Sequence, residues 1–280
     1  MTRDLYQRPP QRHEAGISRR SLLRLGLTAR ARADIDYDGV AARVRRGWER
    51  DGHDPLLRAL EPVAPVIVDA ADVGSGWRVL DAAAGDGNVA LAALARGARV
   101  EACDFAVAMV ERGRARCPGA RWQVADVQSL PYPDASFDAV LSSFGAALAP
   151  RARRTAAELV RVVRPGGVVA LTAWVPRGLP GRLDELVPLP EGVRAPSDWG
   201  VQAVARRRLE PLLDGLELRT RTVRLSFPDA DSFFAALLRP LEVEADALQP
   251  QLERLLASCN DSVAGVEVNG RYLLALGRRR

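Results

Sequence analysis

The stretch VLDAAAGDGN, residues 79–88, places an acid at the end of an apolar run and two glycines shortly after it. Gly85 and Gly87 carry no side chain, so the backbone can approach a ligand closely and adopt φ values that other residues avoid. Beside this turn, the carboxylate of Asp81 would repel a pyrophosphate and attract an ammonium or a sulfonium. The stretch therefore predicts a site for a cationic group. The structural alternative is that Asp81 only accepts hydrogen bonds from the turn's own N–H groups.

Two more acids end the apolar runs that follow. Asp104 closes ARVEACD, 19 residues after Gly85, and a carboxylate so placed can accept both hydroxyls of a ribose. Phe105 can lie against a purine face, and Asp126, which closes ARWQVAD, can accept from an adenine amino group. Together the three acids predict an adenosine site, whereas each one alone could be a solvated loop residue.

A dinucleotide site is a competing interpretation of the same turn. The letters GDGNVA fit the fingerprint Gly-x-Gly-x-x-Ala, which favours an NAD(P)-dependent oxidoreductase. Asp81 argues against it because of its charge. The chain also contains no lysine, so it cannot hold the Tyr-x-x-x-Lys pair of one group of such enzymes.

The elements that must position these acids alternate between strand and helix. Five apolar runs are strand candidates, namely WRVLDA, ARVEACD, ARWQVAD, FDAVLSSF and GVVALTAW, and stretches of helical periodicity separate them. This alternation predicts an α/β, doubly wound, Rossmann-like sheet with ligands at the carboxyl ends of its strands. Residue 83, an alanine beside the glycines, is expected at negative φ, because only there is a Cβ unstrained.

The flanking segments complete a predicted sheet of seven mostly parallel strands. Residues 34–75 predict an N-terminal helical cap of two helices broken at DGHDP. The late run LELRTRTVRLSF predicts an exposed strand, and Asn269 with Gly270 predicts a turn before a last strand, which together give the sheet an antiparallel edge. We thus predict a basic leader (1–33), the cap, and one domain (76–280) with a cofactor core (76–176) and an acceptor side (177–280).

Charge and cysteine usage exclude other classes. The net charge is +5, but residues 1–33 hold eight arginines and two acids, which is 8 − 2 = +6, so the remainder is near −1 and predicts no nucleic-acid partner. The leader stretch Ser18–Gly26 resembles a twin-arginine signal, yet Arg24 interrupts its apolar run, which favours a flexible tail and a cytoplasmic protein. Three cysteines without a close pair and two histidines predict no metal site, and no run is long enough for a membrane span.

Four stretches in order carry a family resemblance: VLDAAAGDGN, ACDFAVAMVERGRARC, ADVQSLPYPDASFDAVLSSFGAALAP and ELVRVVRPGGVVALTAW. They resemble the class I S-adenosylmethionine-dependent methyltransferases, nearest to the ubiquinone/menaquinone C-methyltransferase-like (methyltransferase type 11) group. The resemblance implies S-adenosylmethionine as cofactor and these cofactor contacts: Asp81, Ala83, Gly85 and Gly87 around the methionine end, Asp104 on the ribose, Phe105, Asp126 and Val127 on the adenine, and Ser142 and Ser143 near the sulfonium. Ala83 departs from the family's usual glycine.

The expected reaction is methyl transfer to an O, N or C atom of a small-molecule acceptor. Acceptor contacts are predicted from residues outside the core, with packing of the lid as the alternative: Tyr37, Trp48, Trp174, Arg177 and Trp199. No general base is predicted, and His53 is expected at the surface. The alternative functions are a catalytically inactive module that binds the cofactor and the NAD(P)-dependent oxidoreductase.

Overall fold

The computed structural model describes residues 35–186, 189–238, 242, 248–260, 262 and 265–280. The chain divides into two units, Met1–Ile35 and Asp36–Arg280, and the fold given below is that of the second. The predicted leader and its Ser18–Gly26 stretch lie outside the described residues.

Seven strands form a single sheet in the second unit. They are β1 (Arg78–Ala82), β2 (Arg99–Asp104), β3 (Arg121–Val124), β4 (Phe137–Ser143), β5 (Val163–Trp174), β6 (Leu213–Phe227) and β7 (Val266–Arg279). Their order across the sheet is β3-β2-β1-β4-β5-β7-β6. The first five are parallel to their neighbours, while β7 is antiparallel to both β5 and β6. The predicted fold class is confirmed, including the antiparallel edge.

Ten α-helices are described around this sheet. They are α1 (Tyr37–Trp48), α2 (Asp54–Leu60), α3 (Val63–Ala70), α4 (Asn88–Ala95), α5 (Val107–Arg116), α6 (Ala152–Arg161), α7 (Leu179–Arg182), α8 (Gln202–Leu209), α9 (Ala230–Leu238) and α10 (Gln249–Ala257). The cap holds three helices rather than two. Pro62 and Pro65 bracket the start of α3, where a missing N–H costs no helical hydrogen bond, so they begin this helix instead of preventing it.

Both faces of the sheet are covered, as expected of a parallel sheet. Val79 and Ala139 face one apolar core, which also contains Ile67 of α3. Leu80 and Val140 face a second core, packed with side chains of α6 and α8. The alternation along β1 and β4 therefore sends successive side chains into opposite cores. Among the described residues, no helix has the length and apolar character needed to cross a membrane.

The turn predicted at Asn269 and Gly270 is wrong, because β7 runs straight through both residues. Asn269 pairs with Arg224 and Gly270 with Val223 in the ladder to β6. A Cβ on Gly270 would lie 2.8 Å from the ring of Trp174. Glycine is therefore required here by the close approach of an aromatic ring to the strand, and the residue pair that often signals a hairpin has a packing role.

Candidate functional site

A cavity lies at the carboxyl ends of the parallel strands, between the sheet and the cap. Its empty space is about 1190 Å³, counting the part open to solvent. The residues after β1, β2, β4 and β5 line it together with the cap helices α1 and α2. The polar lining residues are Asp81, Asn88, Asp104, Ser143 and Asp184. This cavity lies at the predicted location, the carboxyl ends of the strands.

Asp81 lies at the end of β1, with a side chain that is buried and only half satisfied. It is 1% exposed, and its Oδ2 accepts a hydrogen bond of 2.8 Å from the N–H of Ala90 in α4. Its Oδ1 is buried and has no hydrogen-bond partner within the protein. Burial raises the pKa of Asp81 to about 7, against the opposing effect of the Ala90 N–H. A buried acceptor of this kind is stabilised by a cationic donor in the cavity.

Asp104, at the end of β2, is held in place by the backbone. Its Oδ2 accepts from the N–H of Gly85 at 2.9 Å, and its Oδ1 accepts from the N–H of Ala106 at 3.0 Å. Burial raises the pKa of this carboxyl to about 6, and the backbone N–H groups oppose that rise. Each carboxylate oxygen keeps further acceptor capacity, so the group can still accept from a pair of ligand hydroxyls.

The turn from Ala83 to Gly87 is left-handed at three positions. Gly85 has φ +56°, and Gly87, the N-cap of α4, has φ +97°. The expectation of negative φ at Ala83 is wrong, because its φ is +54°. A Cβ built on Gly145 would lie 2.6 Å from the Cβ of Ala83. The missing side chain at Gly145 thus leaves the room that the methyl group of Ala83 occupies.

A second, smaller cavity adjoins the first and contains the predicted adenine contacts. Phe105, Asp126 and Val127 all line it, beneath α1 of the cap. The carboxylate of Asp126 accepts from the backbone N–H of Gln128 at 2.8 Å and from the Gln128 side-chain amide. The structure therefore brings together the three residues predicted to contact adenine, in a pocket that shares Ala83 and Phe105 with the larger cavity.

The two serines after β4 have different positions. Ser143 lines the larger cavity. Ser142 is 1% exposed, and its hydroxyl accepts from the N–H of Ala146 at 3.1 Å, which orders the turn after the strand. Ser142 thus supports the loop next to the cavity, and Gly87 likewise lies in the turn without lining the cavity.

The predicted acceptor residues divide into two groups. Trp48 and Trp174 line the larger cavity, whereas Tyr37, Arg177 and Trp199 do not. Trp199 is 2% exposed and packs in the second core, with the guanidinium of Arg208 over its ring. The ring of Tyr37 lies beneath the guanidinium of Arg151, and Arg177 is exposed.

Phe144 is a cavity residue that the sequence analysis missed. Its ring stacks on that of Trp174, with centroids 4.1 Å apart and planes at 24°. Its φ is +63°, and its N–H donates to the hydroxyl of Thr172 at 3.0 Å. Ala83 and Phe144 directly follow the neighbouring strands β1 and β4, and their left-handed backbone places strain next to the same cavity. An SSF motif after a strand gives no local signal for such a conformation.

The cap is attached to the cofactor side by hydrogen bonds. The carboxylate of Glu49, after α1, accepts from the N–H groups of Val107 and Ala108 at 2.8 and 3.0 Å, where it caps α5. The side chain of Asn88 donates to the carbonyl of Leu57 in α2 at 2.8 Å. The cap therefore closes the cavity against the end of β2 and the start of α4.

The expectation of a surface position for His53 is wrong. The side chain is 0% exposed, its Nε2 lies 3.0 Å from the carbonyl oxygen of Gly47, and its ring packs on Trp48 at 4.7 Å. His53 thus joins the end of α1 to the start of α2. In the part of the chain that the structure describes, no three His, Cys, Asp or Glu side chains group as a metal site would require.

Comparison with known proteins is consistent with this geometry. Residues 79–167 match a family model described as a methyltransferase domain. The uncharacterized protein Rv1403c of Mycobacterium tuberculosis is 39% identical over 150 residues, which are 50% of this chain and 55% of that protein. The demethylmenaquinone methyltransferase of Paenarthrobacter aurescens is 40% identical over 109 residues, which are 39% of this chain and 43% of the enzyme. The match thus spans about half the length of these relatives.

A solved structure has a similar fold over a larger part of this chain. The YcgJ protein of Bacillus subtilis superposes with a TM-score of 0.53 and 20% identity, over 78% of this chain and 97% of that protein. The resemblance to class I S-adenosylmethionine-dependent methyltransferases, inferred from the motifs, is confirmed by these findings.

Proposed function

From the methyltransferase domain at residues 79–167, we propose that this chain transfers a methyl group from S-adenosylmethionine to an O, N or C atom of a small-molecule acceptor. The observation that carries this proposal is the buried Oδ1 of Asp81, a residue that lines the cavity, because this oxygen has no partner within the protein. An α-ammonium group is a donor that satisfies such an oxygen and carries the compensating charge.

The residues present fit the cofactor along its whole length. Asp81 would hold the ammonium group of the methionine end, and Asp104 would accept from the ribose hydroxyls. Phe105, Val127 and Asp126 would hold the adenine in the adjoining pocket. The N–H groups that hold Asp104 keep its carboxylate oriented before any ligand binds, which reduces the ordering cost of binding.

When bound, S-adenosylmethionine supplies a methyl group on a positively charged sulfur, which is already activated for displacement. The contribution of the chain is therefore alignment of the acceptor and exclusion of water. Ser143, Phe144 and Trp174 line the part of the cavity where β4 and β5 end. The cap closes this space through the contacts of Glu49 and Asn88.

The acceptor is proposed to be small and partly apolar. The wall beyond the cofactor residues is formed mainly by Trp, Phe, Leu and Pro side chains: Trp48, Leu56, Leu60, Phe144, Trp174, Pro180, Leu183, Pro196 and Leu237. Such a wall favours a hydrophobic body over a highly charged one. One relative is a demethylmenaquinone methyltransferase, but this chain covers only 43% of that enzyme, so the proposal does not extend to its acceptor. A cytoplasmic location remains part of the proposal.

Two alternatives differ in what the cavity binds and does. A module that binds the cofactor without transferring its methyl group would keep Asp81 and Asp104 and lack a productive acceptor site. An NAD(P)-dependent oxidoreductase would have to place a pyrophosphate beside the turn of Ala83 to Gly87, close to the buried carboxyl of Asp81. That charge disfavours the oxidoreductase.

The test is isothermal titration with S-adenosylhomocysteine, with NAD as the comparison ligand and Asp104→Ala as the comparison variant. We expect micromolar binding of S-adenosylhomocysteine and no heat with NAD. In the variant, truncation of a buried carboxylate should reduce the binding free energy of S-adenosylhomocysteine by about 2–5 kcal/mol. Binding of NAD in preference to S-adenosylhomocysteine, or of neither, would contradict the proposal. Turnover of S-adenosylmethionine in an acceptor screen separates the enzyme from the inactive module.

A further inference from the structure

Three carboxyl side chains line the larger cavity: Asp81, Asp104 and Asp184. The first two face the cofactor in the proposed function, on which the present inference rests. Asp184 belongs to the segment after β5, in the 3-10 helix Leu183–Glu185, and also lines a third cavity beneath α1. Among the described titratable side chains that line the larger cavity, Asp184 is the one that the proposed cofactor does not require.

Asp184 is positioned by a neighbouring turn. Its Oδ2 accepts a hydrogen bond of 2.8 Å from the N–H of Ser197, in the 3-10 helix Pro196–Gly200. Burial raises the pKa of this carboxyl, and the side chain and backbone of Ser197 oppose the rise. A carboxylate fixed from one side and placed against an apolar wall is a preorganised hydrogen-bond acceptor.

The wall around it is aromatic and apolar. The stacked rings of Phe144 and Trp174, with Leu183 and Pro196, line the same cavity as Asp184. The described lining residues include no arginine, so an anionic group on the acceptor would find no cation on this wall. A flat, neutral, hydrophobic molecule with one polar donor fits these surroundings best.

We propose that Asp184 binds the hydroxyl group of a phenolic acceptor and receives its proton during methyl transfer. The acceptor oxygen forms a bond to the methyl carbon while the carbon–sulfur bond breaks with its electron pair going to sulfur, which leaves S-adenosylhomocysteine and the methyl ether. The phenolic proton goes to the carboxylate of Asp184 and from there to water after the ether leaves. A general base of this kind contributes about 10²–10⁴-fold to the rate.

The test uses matched probes with the full chain loaded with S-adenosylhomocysteine. The probes are 4-phenylphenol, 4-methoxybiphenyl, which lacks the donor, and 4-aminobiphenyl, and binding is followed by quenching of tryptophan fluorescence, since Trp48 and Trp174 line the cavity. We expect 4-phenylphenol to bind about tenfold more tightly than 4-methoxybiphenyl, as a hydrogen bond to a charged group predicts. We also expect conversion of 4-phenylphenol to 4-methoxybiphenyl when S-adenosylmethionine is supplied.

The variant Asp184→Asn keeps an oxygen that can accept from Ser197 and should fold. This variant should bind 4-phenylphenol and 4-methoxybiphenyl equally well and should not convert the phenol to the ether. Its affinity for S-adenosylhomocysteine should equal that of the parent chain. The control Asp214→Asn alters a carboxylate that lies 2.7 Å from Arg280 and does not line the cavity, and it should keep both the preference for the phenol and the conversion.

Each other outcome overturns the inference. These outcomes are equal binding of the phenol and the ether, tighter binding of the amine, no binding of any probe, and an Asp184→Asn variant that behaves as the parent chain does. Loss of S-adenosylhomocysteine binding by the parent chain would instead overturn the proposed function itself, so the two failures are distinguishable.

Discussion

The two ends of the larger cavity are lined by different kinds of chemical groups. At the proposed cofactor end, carboxyl groups at or just after the ends of β1, β2 and β3 accept hydrogen bonds from backbone N–H groups, as Asp104 does from Gly85. At the proposed acceptor end, aromatic and aliphatic side chains come from α1, α2, α9, the end of β5 and the segments after β4 and β5. The first end is suited to recognise charge and hydrogen-bonding pattern, and the second to recognise shape. Variants should therefore affect one end without the other.

The largest expected effect belongs to Asp81→Asn. Removing the charge that would meet the ammonium group should weaken binding of S-adenosylhomocysteine by about 2–5 kcal/mol, which corresponds to about 30-fold or more. At pH values above about 7, where the carboxyl of Asp81 would be charged, the same change should also raise the midpoint temperature of unfolding of the ligand-free protein, because it removes a buried charge. Isothermal titration and thermal unfolding measure the two effects.

The matched control is Asp86→Asn, five residues further along. The carboxylate of Asp86 pairs with Arg116 at 2.9 Å and does not line the cavity. This variant should keep its affinity for S-adenosylhomocysteine. If Asp81→Asn binds S-adenosylhomocysteine as tightly as the parent chain does, the carboxyl of Asp81 has no part in binding. The proposed difference between the two ends of the cavity would then be wrong.

At the acceptor end, Gly270→Ala should disturb packing alone. The new Cβ would lie 2.8 Å from the ring of Trp174, and such overpacking costs about 1–3 kcal/mol. We expect a lower free energy of unfolding and changed tryptophan fluorescence, with unchanged S-adenosylhomocysteine affinity. In Gly119→Ala the Cβ meets only the end of Leu94, so that variant should be nearly neutral. A loss of cofactor affinity in Gly270→Ala would show that the ends are coupled.

The same contrast explains what the sequence could predict. Asp81, Asp104 and Asp126 each end a strand candidate, so a local pattern places them, and five of the strands are visible as apolar runs. Asp184 joins the cavity only through the packing of distant segments, and the left-handed backbone of Phe144 has no signal in the residues around it. Asn269 and Gly270 mislead for the same reason, because the ring that requires the glycine comes from Trp174. The left-handed backbone of Ala83 depends on the room left at Gly145, which is 62 residues away.

Stability should fall as pH rises through the neutral range. Burial raises the folded-state pKa values of Asp81 and Asp104 to about 7 and about 6, above the value of about 3.9 for an unfolded chain. Between about pH 4 and about pH 7 the folded chain therefore holds more protons, and raising the pH favours unfolding.

Carboxyls with lowered pKa values, such as Asp138 and Glu158, contribute almost fully above about pH 5.5, about one pH unit above the unfolded-state pKa of Glu. Thermal midpoints of the ligand-free protein should thus decline from about pH 5.5 to about pH 8. Asp81→Asn should flatten the decline. A midpoint that rises over this range would contradict the burial of both carboxyls.

The smallest effect is expected from Ala83→Gly. A left-handed alanine costs about 1–2 kcal/mol, whereas glycine costs the folded chain about 0.5–1 kcal/mol of additional entropy. The variant should therefore be more stable by about 1 kcal/mol or less, measured by denaturant unfolding, with cofactor affinity close to that of the parent. A clear loss of stability would mean that the methyl group of Ala83 is worth more as packing beside Gly145 than its backbone strain costs.

The placement of β7 has a consequence for how the chain is made. During synthesis β5 and β6 emerge before β7, yet β7 lies between them and is, among the strands that the structure describes, the one that pairs with β6. Until β7 has left the ribosome, β5 has an open edge on that side and β6 has no partner in the sheet. Exposed strand edges are sites of association with other chains. We therefore expect the interval between emergence of residue 227 and emergence of residue 279 to be the one in which a nascent chain most needs a chaperone.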